Sequence, residues 1–352
     1  MDYINIRGFK SIKDVNVKLL PINILIGGNG AGKSNFLSFF EFLNQAYHQT
    51  LKTYVALNGG IEKMLHQGAK TTNEIAVHIS FNNQADGYSF RAQRGEDSLI
   101  FTREGLWNKG EELNIDDHKS EAQIKLTPWN RGEIIRKQLD GLKKYHFHDT
   151  GKNSPFNNTS HIGNDSYYLY ERGENLAAFM YGIQNRYPIV YNRIIKTIKS
   201  IAPYFSDFYF QPNTEGYLKL QWRDKYSSTV YGASDLSDGT IRFIALTTLF
   251  MQPALPGNII IDEPELGLHP YAIAKLSGMI KSAAAKGTQV IIATQSSDLV
   301  NHFEPEQVLT VDQINGESKF TRLKKEELEL WLDEYAVGDL WERNVIEGGQ
   351  PQ

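Results

Sequence analysis

The residue types and their spacing at positions 27–34 are those of a phosphate-binding loop. The segment reads Gly-Gly-Asn-Gly-Ala-Gly-Lys-Ser and fits the pattern G-x-x-x-x-G-K-[ST] at every fixed position. Its glycines leave backbone N–H groups accessible to the oxygens of a triphosphate. Lys33 would neutralise the β- and γ-phosphates, and the Ser34 hydroxyl would bind Mg²⁺. The alternative is a glycine-rich turn that only resembles such a loop.

An apolar run before this loop and a periodic run after it supply the elements that a phosphate-binding loop needs. Residues 22–26 have the composition of a buried strand, and residues 35–43 are periodic enough for a helix. The N-terminus of that helix would add a partial positive charge. We therefore expect a set of nucleotide contacts in and beside the loop: Asn29, Gly30, Ala31, Gly32, Lys33, Ser34 and Asn35.

A pair of acids follows a second apolar run. Three isoleucines at 259–261 indicate a buried parallel strand, and Asp262 and Glu263 follow at its C-terminal end, where ligands of α/β sheets bind. Asp262 is predicted to hold Mg²⁺, through water, and Glu263 to take a proton from the attacking water. Taken alone, two adjacent acids also fit an ordinary strand end, where the chain passes into a loop.

A short turn with serine and glycine precedes an apolar helix at residues 241–250. Ser237 or Asp238 could simply cap this helix. The same helix end could instead be directed at a phosphate. From the residues alone, both interpretations stay open.

The region between these motifs carries none of the phosphate chemistry. Alternation predicts two short strands within residues 1–20, around a turn at 7–10, and a hairpin of strands 74–81 and 87–94 with a third strand at 97–103. The run of polar residues at 108–123 indicates a loop. The remaining predictions are helices at 128–142, 175–186 and 188–201 and strands at 208–211 and 217–222.

The composition limits the class of protein. The chain has 352 residues, no cysteine and a net charge of -4. Without cysteine there is neither a disulfide framework nor a cysteine zinc site, and the net charge argues against a basic field over the whole molecule. We expect a cytoplasmic protein without a signal peptide and without a membrane partner, because no apolar run approaches membrane-spanning length.

Several motifs in fixed order carry a resemblance to a known family. The phosphate loop is followed by Leu-Ser-Asp-Gly-Thr at 236–240, Ile-Ile-Ile-Asp-Glu-Pro at 259–264 and Ala-Thr-Gln-Ser at 293–296. This order resembles the ABC-type ATPase head of the SMC and RecF-like proteins. It is most similar to short bacterial ATPases of the AAA-21 and AAA-15 type, which carry the Leu-Ser-Asp-Gly-Thr signature and a segment like 263–270. The likeness runs from residues 6–11 to 348–349.

The resemblance implies an α/β fold: an ABC-type nucleotide-binding head with a mixed sheet and flanking helices, carrying an inserted antiparallel sheet and helical lobe. We expect residues 1–82 and 228–352 to form the ATPase core and residues 83–227 the insertion. The resemblance also implies a head-to-tail homodimer that encloses two ATP molecules with Mg²⁺. Ser237 and Gly239 would then approach the γ-phosphate bound by Lys33 of the other copy.

The resemblance also assigns further site residues. Gln67 is the candidate for a glutamine that contacts Mg²⁺, together with Ser34 and Asp262. Lys10 and Ser11 correspond to a nucleotide-contacting turn, and His269 lies in the segment after the acids. The catalytic set is Glu263, Gln295 and Lys33.

Two residues depart from the family pattern. Asp238 stands where ABC signatures have glycine, and we expect it to cap the helix, because an acid near a γ-phosphate costs Coulomb energy. Gln295 stands where many ABC enzymes have a switch histidine. Glutamine can donate a hydrogen bond to phosphate but cannot take on a proton near neutral pH. We therefore predict slow ATP hydrolysis that acts as a switch.

Three biological roles fit these features. The leading hypothesis is the ATPase sensor or regulator of a bacterial anti-phage defence system with a separate effector, a nuclease or toxin, because no TOPRIM or H-N-H nuclease pattern is evident in this chain. The first alternative is a DNA-repair or chromosome-maintenance ATPase that binds DNA directly. The second is an assembly scaffold with negligible turnover. Assembly beyond a dimer stays open.

Some other patterns are weaker. His146, His148 and Asp149 have a metal-like composition, but they alternate with Tyr145 and Phe147 as one polar face of a strand would. A basic stretch includes Arg131, Arg136, Lys137, Lys143 and Lys144. Such faces are more often solvated than bound to nucleic acid.

Overall fold

The computed structural model describes residues 1–109, 111–115, 118–128 and 130–349. The strands are β1 (Tyr3–Phe9), β2 (Ile12–Lys18), β3 (Ile22–Ile26), β4 (Glu74–Phe81), β5 (Asp86–Arg94), β6 (Leu99–Asn108), β7 (Glu111–Ile115), β8 (Lys144–Tyr145), β9 (Ser160–His161), β10 (Phe205–Phe208), β11 (Tyr217–Leu218), β12 (Gln221–Asp224), β13 (Val230–Gly232), β14 (Asn258–Asp262), β15 (Gln289–Ala293), β16 (Val308–Ile314) and β17 (Glu317–Arg322). The helices are α1 (Lys33–Tyr47), α2 (Leu51–Leu57), α3 (Ile61–Met64), α4 (Glu133–Asp140), α5 (Leu176–Arg186), α6 (Pro188–Ile201), α7 (Asp238–Met251), α8 (Pro270–Ala285), α9 (Ser297–Val300), α10 (Lys325–Leu332) and α11 (Val337–Glu342).

The chain divides into two compact units. The first unit comprises Met1–Lys144, Gly257–Ile260 and Gln289–Gln352, and the second comprises Tyr145–Pro256 and Ile261–Thr288. The division falls within β8 and β14, so that the last two residues of β14 belong to the second unit. The insertion boundaries expected at residues 83 and 228 concern the origin of a segment rather than its packing, and they stay a prediction.

The first unit contains an antiparallel sheet with the strand order β2-β1-β4-β5-β6-β7. The hairpin predicted at 74–94 is confirmed as β4 and β5, and β4 also pairs with β1. The predicted loop at 108–123 is wrong in part, because β7 pairs with β6 from Asn108 opposite Glu111 to Glu104 opposite Ile115. This strand is largely polar, which hid it among the loop residues.

Parallel strands of the first unit carry the phosphate loop. β3 pairs with β15 on one side and with β16 on the other, both in parallel, and β17 pairs antiparallel with β16. All residues of β3 are buried. A strand covered on both faces reads as an uninterrupted apolar run, which is why the sequence predicted it.

Aromatic packing fixes α1 within the first unit. The ring centroid of Phe39 in α1 lies 5.4 Å from that of Phe9 in β1, and the centroid of Phe42 lies 6.3 Å from that of Phe90 in β5. On another side Phe36 lies 5.0 Å from Phe320 of β17. These rings are wholly or mostly buried, and each buried aromatic contributes roughly 1.5–3 kcal/mol. The N-terminus of α1 is therefore held in place by both sheets.

The second unit is built around α7. Residues Ile241 to Phe250 of this helix are all buried, which agrees with their apolar pattern on every face. The neighbouring α5 and α6 confirm the helices predicted at 175–186 and 188–201. Two small sheets have the orders β10-β12-β13 and β11-β9.

The ends of two other predicted elements differ from those in the structure. The helix predicted at 128–142 is limited to α4, preceded by a short 3₁₀ turn at Asn130–Gly132, and the strand predicted at 208–211 is β10, three residues earlier. Residues 110, 116, 117 and 129, which fall in the predicted loop and helix, lie outside the described residues, as does the side chain of Arg131. In the described part of the chain, no helix has both the length and the apolar character needed to cross a membrane.

Candidate nucleotide-binding site

The loop between β3 and α1 has a backbone that requires glycine. Gly30 has φ 80° and Gly32 has φ 113°, in the left-handed region that other residues rarely adopt. A Cβ atom at Gly32 would overlap Ser318 Oγ and would lie 2.8 Å from Ser11 Oγ. At Gly30 no atom lies within 4 Å of such a Cβ. Gly32 is thus required for both conformation and space, whereas Gly30 is required for conformation alone.

Lys33 begins α1 and lies over the loop. Its side chain is only 5% exposed, and Nζ donates hydrogen bonds to the carbonyl oxygens of Gly27 at 2.6 Å and Gly28 at 3.1 Å. α1 has 15 residues, so its N-terminus carries the partial positive charge of a full helix. Ser34 is exposed in its first turn, and Asn29 and Gly30 are exposed at the tip of the loop. This donor set fits a triphosphate with Mg²⁺.

A serine from β17 braces the loop. Ser318 Oγ lies 2.6 Å from the carbonyl oxygen of Ala31 and 2.7 Å from Ser11 Oγ. Asn35 Nδ2 donates to the same Ser11 hydroxyl at 2.8 Å. Sequence reasoning missed Ser318, because a lone serine in a strand almost 300 residues away gives no signal. The brace joins the predicted residues Ser11, Ala31 and Asn35.

The turn between β1 and β2 lies beside the start of α1, as the resemblance implied. Lys10 Nζ donates to Ser38 Oγ at 2.8 Å. Burial lowers the pKa of Lys10, and the charge of Glu41 opposes that shift. Gln67, with φ 54°, lines a cavity of about 460 Å³ together with Lys10, Ser11 and Asn35. The structure therefore brings these four predicted residues together.

Gln295 follows the strand next to the phosphate loop. β15 runs parallel to β3 with Ala293 opposite Leu25, and Thr294 N donates to the Leu25 carbonyl oxygen at 3.0 Å. Both strands therefore end at the same edge of the sheet. Gln295 is exposed there, and Ser296 then caps α9.

A larger cavity of about 870 Å³ lies on another side of the loop. It is lined by Gly28 and Asn29, by β2, β16 and β17, and by the segment 344–349. Trp341 Nε1 donates to the Gly348 carbonyl oxygen at 2.7 Å, and Gly348 N donates to Asp312 Oδ1 at 3.0 Å. The C-terminal segment thus packs against the strand beside the phosphate loop.

In the second unit, Asp262 is the last residue of β14, and Glu263 follows it in a strained turn. Glu263 has φ 39°, which is costly for a residue with a side chain. The carbonyl oxygen of Asp262 accepts a hydrogen bond of 2.8 Å from His148 Nε2. Both acids are half-buried. Strain held at a predicted general base is consistent with a functional position.

The start of α7 is exposed and capped. Ser237 Oγ accepts from Thr240 N at 3.3 Å and lies 2.8 Å from Thr240 Oγ1, which in turn lies 3.1 Å from Tyr204 Oη. The expectation that Asp238 caps the helix is wrong, because Ser237 holds that position and Asp238 is the first helical residue. Asp238 lies instead in the first turn, where its charge complements the helix dipole.

His269 has a structural role. It is the N-cap of α8, and its Nδ1 accepts from Tyr271 N at 3.2 Å.

His146 and His148 lie on one side of their segment, with ring centroids 4.5 Å apart, while Tyr145 and Phe147 are buried. The predicted alternation of polar and apolar faces is confirmed.

Comparisons with known proteins agree with this fold. Residues 22–301 match the family described as "AAA domain, putative AbiEii toxin, Type IV TA system". The structure of "the SmcHead bound to the C-winged helix domain of ScpA" is 18% identical, with TM-score 0.60 over 94% of this chain and 99% of that one. An Smc head with an extended coiled coil, bound to the C-terminal domain of ScpA derived from Pyrococcus furiosus, is 16% identical, with TM-score 0.56 over 95% and 98%.

One curated relative also matches over a short region. Urease accessory protein 2 of Cryptococcus neoformans is 33% identical over 120 residues, which is 32% of this chain and 9% of the relative. So small a share of that protein says nothing about the activity of this chain. The match of residues 22–301 covers more than half of the sequence, and the SMC heads share its fold over nearly its whole length. The chain therefore has the fold of these SMC heads and belongs to the family described as "AAA domain, putative AbiEii toxin, Type IV TA system".

Proposed function

We propose that this chain hydrolyses ATP to ADP and phosphate with Mg²⁺, and that ATP closes two copies head to tail. The observation that carries the proposal is the phosphate loop, in which Lys33 is already held over the carbonyl oxygens of Gly27 and Gly28 at the N-terminus of α1. A buried ammonium ion and a helix N-terminus together favour a highly charged anion.

We assign roles in this reaction to five of the predicted site residues. Mg²⁺, when bound, neutralises phosphate charge, and the Ser34 hydroxyl and the Asp262 carboxylate are the groups that would hold it, with Gln67 as a further candidate. Glu263 would accept a proton from the attacking water. Gln295 would donate a hydrogen bond to phosphate without transferring a proton, which keeps turnover slow.

The start of α7 supports the dimer. Ser237 and Asp238 are exposed, and the 14 residues of α7 give its N-terminus a partial positive charge. In a head-to-tail pair, Ser237 and the Gly239 amide would approach the ATP bound by the other copy. Hydrolysis would remove that shared anion and separate the copies.

We further propose that the dimer is the sensor or regulator of an anti-phage defence system with a separate effector. The family description names an AbiEii toxin and a type IV toxin–antitoxin system. The SMC heads that share the fold are described as bound to domains of another protein, ScpA. A head of this fold can therefore hold a partner chain, which here would be a nuclease or toxin.

Two variants test the ATPase and the dimer. Lys33→Ala should lose ATP binding by about a hundredfold or more, because the buried ammonium ion is removed from the phosphates. Glu263→Gln should bind ATP normally and accumulate as a dimer, measured by light scattering with ATP and Mg²⁺. Lys137→Ala changes an exposed lysine of the same unit and is the control. Binding by Lys33→Ala as tight as that of the parent would contradict the proposal.

The biological role is tested with the same variants in cells. Under the defence hypothesis, an effector copurifies with the chain, and Glu263→Gln changes protection against phage. A Glu263→Gln protein that protects fully, with its dimer intact, would instead favour the scaffold hypothesis.

One observation favours direct DNA binding as a second candidate. α6 contains no acidic residue, and Arg193, Lys196 and Lys199 are exposed on its outer face at intervals of three residues. Such a row could follow a phosphate backbone. Binding of double-stranded DNA should then weaken steeply with salt, strengthen with ATP, and fall when all three residues are changed to glutamine. The same charge change at Lys18, Lys52 and Lys70, which are exposed lysines of the first unit, is the control.

A further inference from the structure

Arg242 is a buried cation near the start of α7. It is 5% exposed, and its three nitrogen atoms all donate to backbone carbonyl oxygens: Nε to Phe147 at 3.2 Å, Nη2 to His148 at 3.2 Å, and Nη1 to Leu266. Burial lowers the pKa of Arg242, and the charge of Asp238, one helical turn earlier, opposes that shift. A buried guanidinium is stable only when its donors are satisfied.

The carbonyl acceptors belong to two separate segments. Phe147 and His148 lie in the segment that follows β8, and Leu266 lies in the loop that follows the two acids. The guanidinium therefore ties three pieces of chain together, although about a hundred residues separate Phe147 from Arg242. Lysine could not make these bonds, because its donors come from one atom.

His148 supplies a second tie to the acids. While its carbonyl oxygen accepts from Arg242, its Nε2 donates to the carbonyl oxygen of Asp262 at 2.8 Å. The ring also lies beside that of His146, with the two centroids 4.5 Å apart and the ring planes tilted by 35°. The backbone immediately before Glu263 is thus connected through one residue to the guanidinium.

Two glycines bring the signature turn, residues 236–240 at the start of α7, directly against the acidic loop, residues 263–269. A Cβ atom at Gly239 would lie 2.5 Å from the Gly267 carbonyl oxygen, and a Cβ at Gly267 would lie 2.9 Å from Arg242 Nη1. Gly267 also has φ 74°. The close approach leaves no layer of side chains or water between the turn that carries Ser237 and the loop that carries Glu263.

We propose that Arg242 is a positioning residue that makes the signature turn and the acidic loop move as one piece. This inference rests on the proposed dimer, in which Ser237 and Gly239 face the ATP of the other copy while Glu263 acts on the chain's own ATP. Arg242 then couples the two ATP sites, so that contact of the signature turn with one nucleotide sets the position of the general base at the other.

The test compares Arg242→Met with Arg186→Met. Methionine keeps an unbranched stem and removes every donor. Arg186 is the control, because it is an exposed arginine of the same unit that also donates to a backbone carbonyl oxygen, that of Ser166, away from the acids. In the Glu263→Gln background, Arg242→Met should weaken ATP-driven dimerisation by about tenfold or more, whereas nucleotide binding by the isolated monomer should change less than about twofold.

Cooperativity gives a second readout. The ATP dependence of turnover should be sigmoidal in the parent and in Arg186→Met, and should lose that form in Arg242→Met. His148→Phe retains an aromatic ring beside His146 but removes the donor to Asp262, and it should show the same loss to a smaller degree; it also serves if Arg242→Met does not fold. Unchanged dimerisation and cooperativity in Arg242→Met, or in His148→Phe when it is the folded variant, would overturn the proposal.

Hydrogen exchange separates failure of this inference from failure of the dimer. The amides of Leu266 and Leu268 bond to Glu263 and Glu265 within the acidic loop. In the ATP-free chain, Arg242→Met or His148→Phe should exchange these amides and that of Thr240 several times faster, with the phosphate loop unaffected. If the parent never dimerises but the exchange result holds, the dimer is wrong and the tie stands. If exchange is unchanged, the tie itself is wrong.

Discussion

The phosphate loop of the first unit and the signature turn of the second are held in different ways. The loop is fixed by several contacts of its own: left-handed glycines, the carbonyl contacts of Lys33, and the hydroxyl group of Ser318, which reaches it from β17. We infer that the signature turn and the acids depend on one buried guanidinium and one imidazole that bond to backbone atoms of other segments. A loop with many short ties tolerates the loss of one, whereas a turn held by two long ties does not.

The largest expected effect tests how firmly the loop is fixed. Gly32→Ala places a methyl group on Ser318 Oγ at a φ of 113°, so ATP affinity should fall by at least about a hundredfold and the protein should lose roughly 1–3 kcal/mol of stability. Nucleotide titration and urea unfolding measure both. Gly30→Ala is the control, because alanine there would have a strained backbone but would overlap no other atom. It should therefore lose less ATP affinity and less stability. Equal losses would show that space at Gly32 is irrelevant.

Gln295→His should raise turnover by about tenfold, since an imidazole can exchange protons near neutral pH and a glutamine cannot. The measurement is steady-state phosphate release at saturating ATP, with nucleotide affinity as the control readout. This variant sharpens the comparison, because Gln295 lies at the edge of the sheet that carries the phosphate loop. Unchanged turnover would show that position 295 does not control the rate.

Removal of a single brace should have a modest effect. Ser318→Ala deletes the hydroxyl that lies between Ala31 and Ser11. ATP affinity should fall roughly fivefold, which corresponds to about 1 kcal/mol of binding free energy. Ser227→Ala, at a surface turn of the second unit, is the control. A loss as large as that of Gly32→Ala would mean that the loop, like the signature turn, depends on one contact.

The smallest expected effect concerns the strained backbone of Glu263. At φ 39°, Glu263→Gly should be more stable than Glu263→Ala by about 1 kcal/mol, because glycine accepts this conformation without steric cost. Both variants should be inactive, so the comparison isolates strain from chemistry. It is measured by urea unfolding of the two proteins side by side. If alanine proves as stable as glycine, the turn relaxes in solution.

The two regions also differ in how well the sequence predicts them. The loop, its strand and its helix follow from residues adjacent in the chain, and α5 and α6 begin and end where periodicity and Pro188 place them. The capping role of Ser237 in place of Asp238 depends on side-chain geometry, which spacing does not determine. The contacts of Arg242 with His148, of His148 with Asp262 and of Ser318 with Ser11 gave no signal in the sequence, because the partners lie between 94 and 307 residues apart. Whether the two halves act on one ATP stays a prediction.

The position of Lys33 has a consequence for the thermodynamics of nucleotide association. Confining a lysine side chain costs up to roughly 1.5–2 kcal/mol in lost rotamer freedom. Because its ammonium group is already bound to the carbonyl oxygens of Gly27 and Gly28, that ordering accompanies folding of the chain. Association should therefore show a smaller unfavourable entropy than it would with a mobile lysine, and calorimetry of the parent against Lys33→Arg would reveal the difference as heat and entropy rather than as affinity alone.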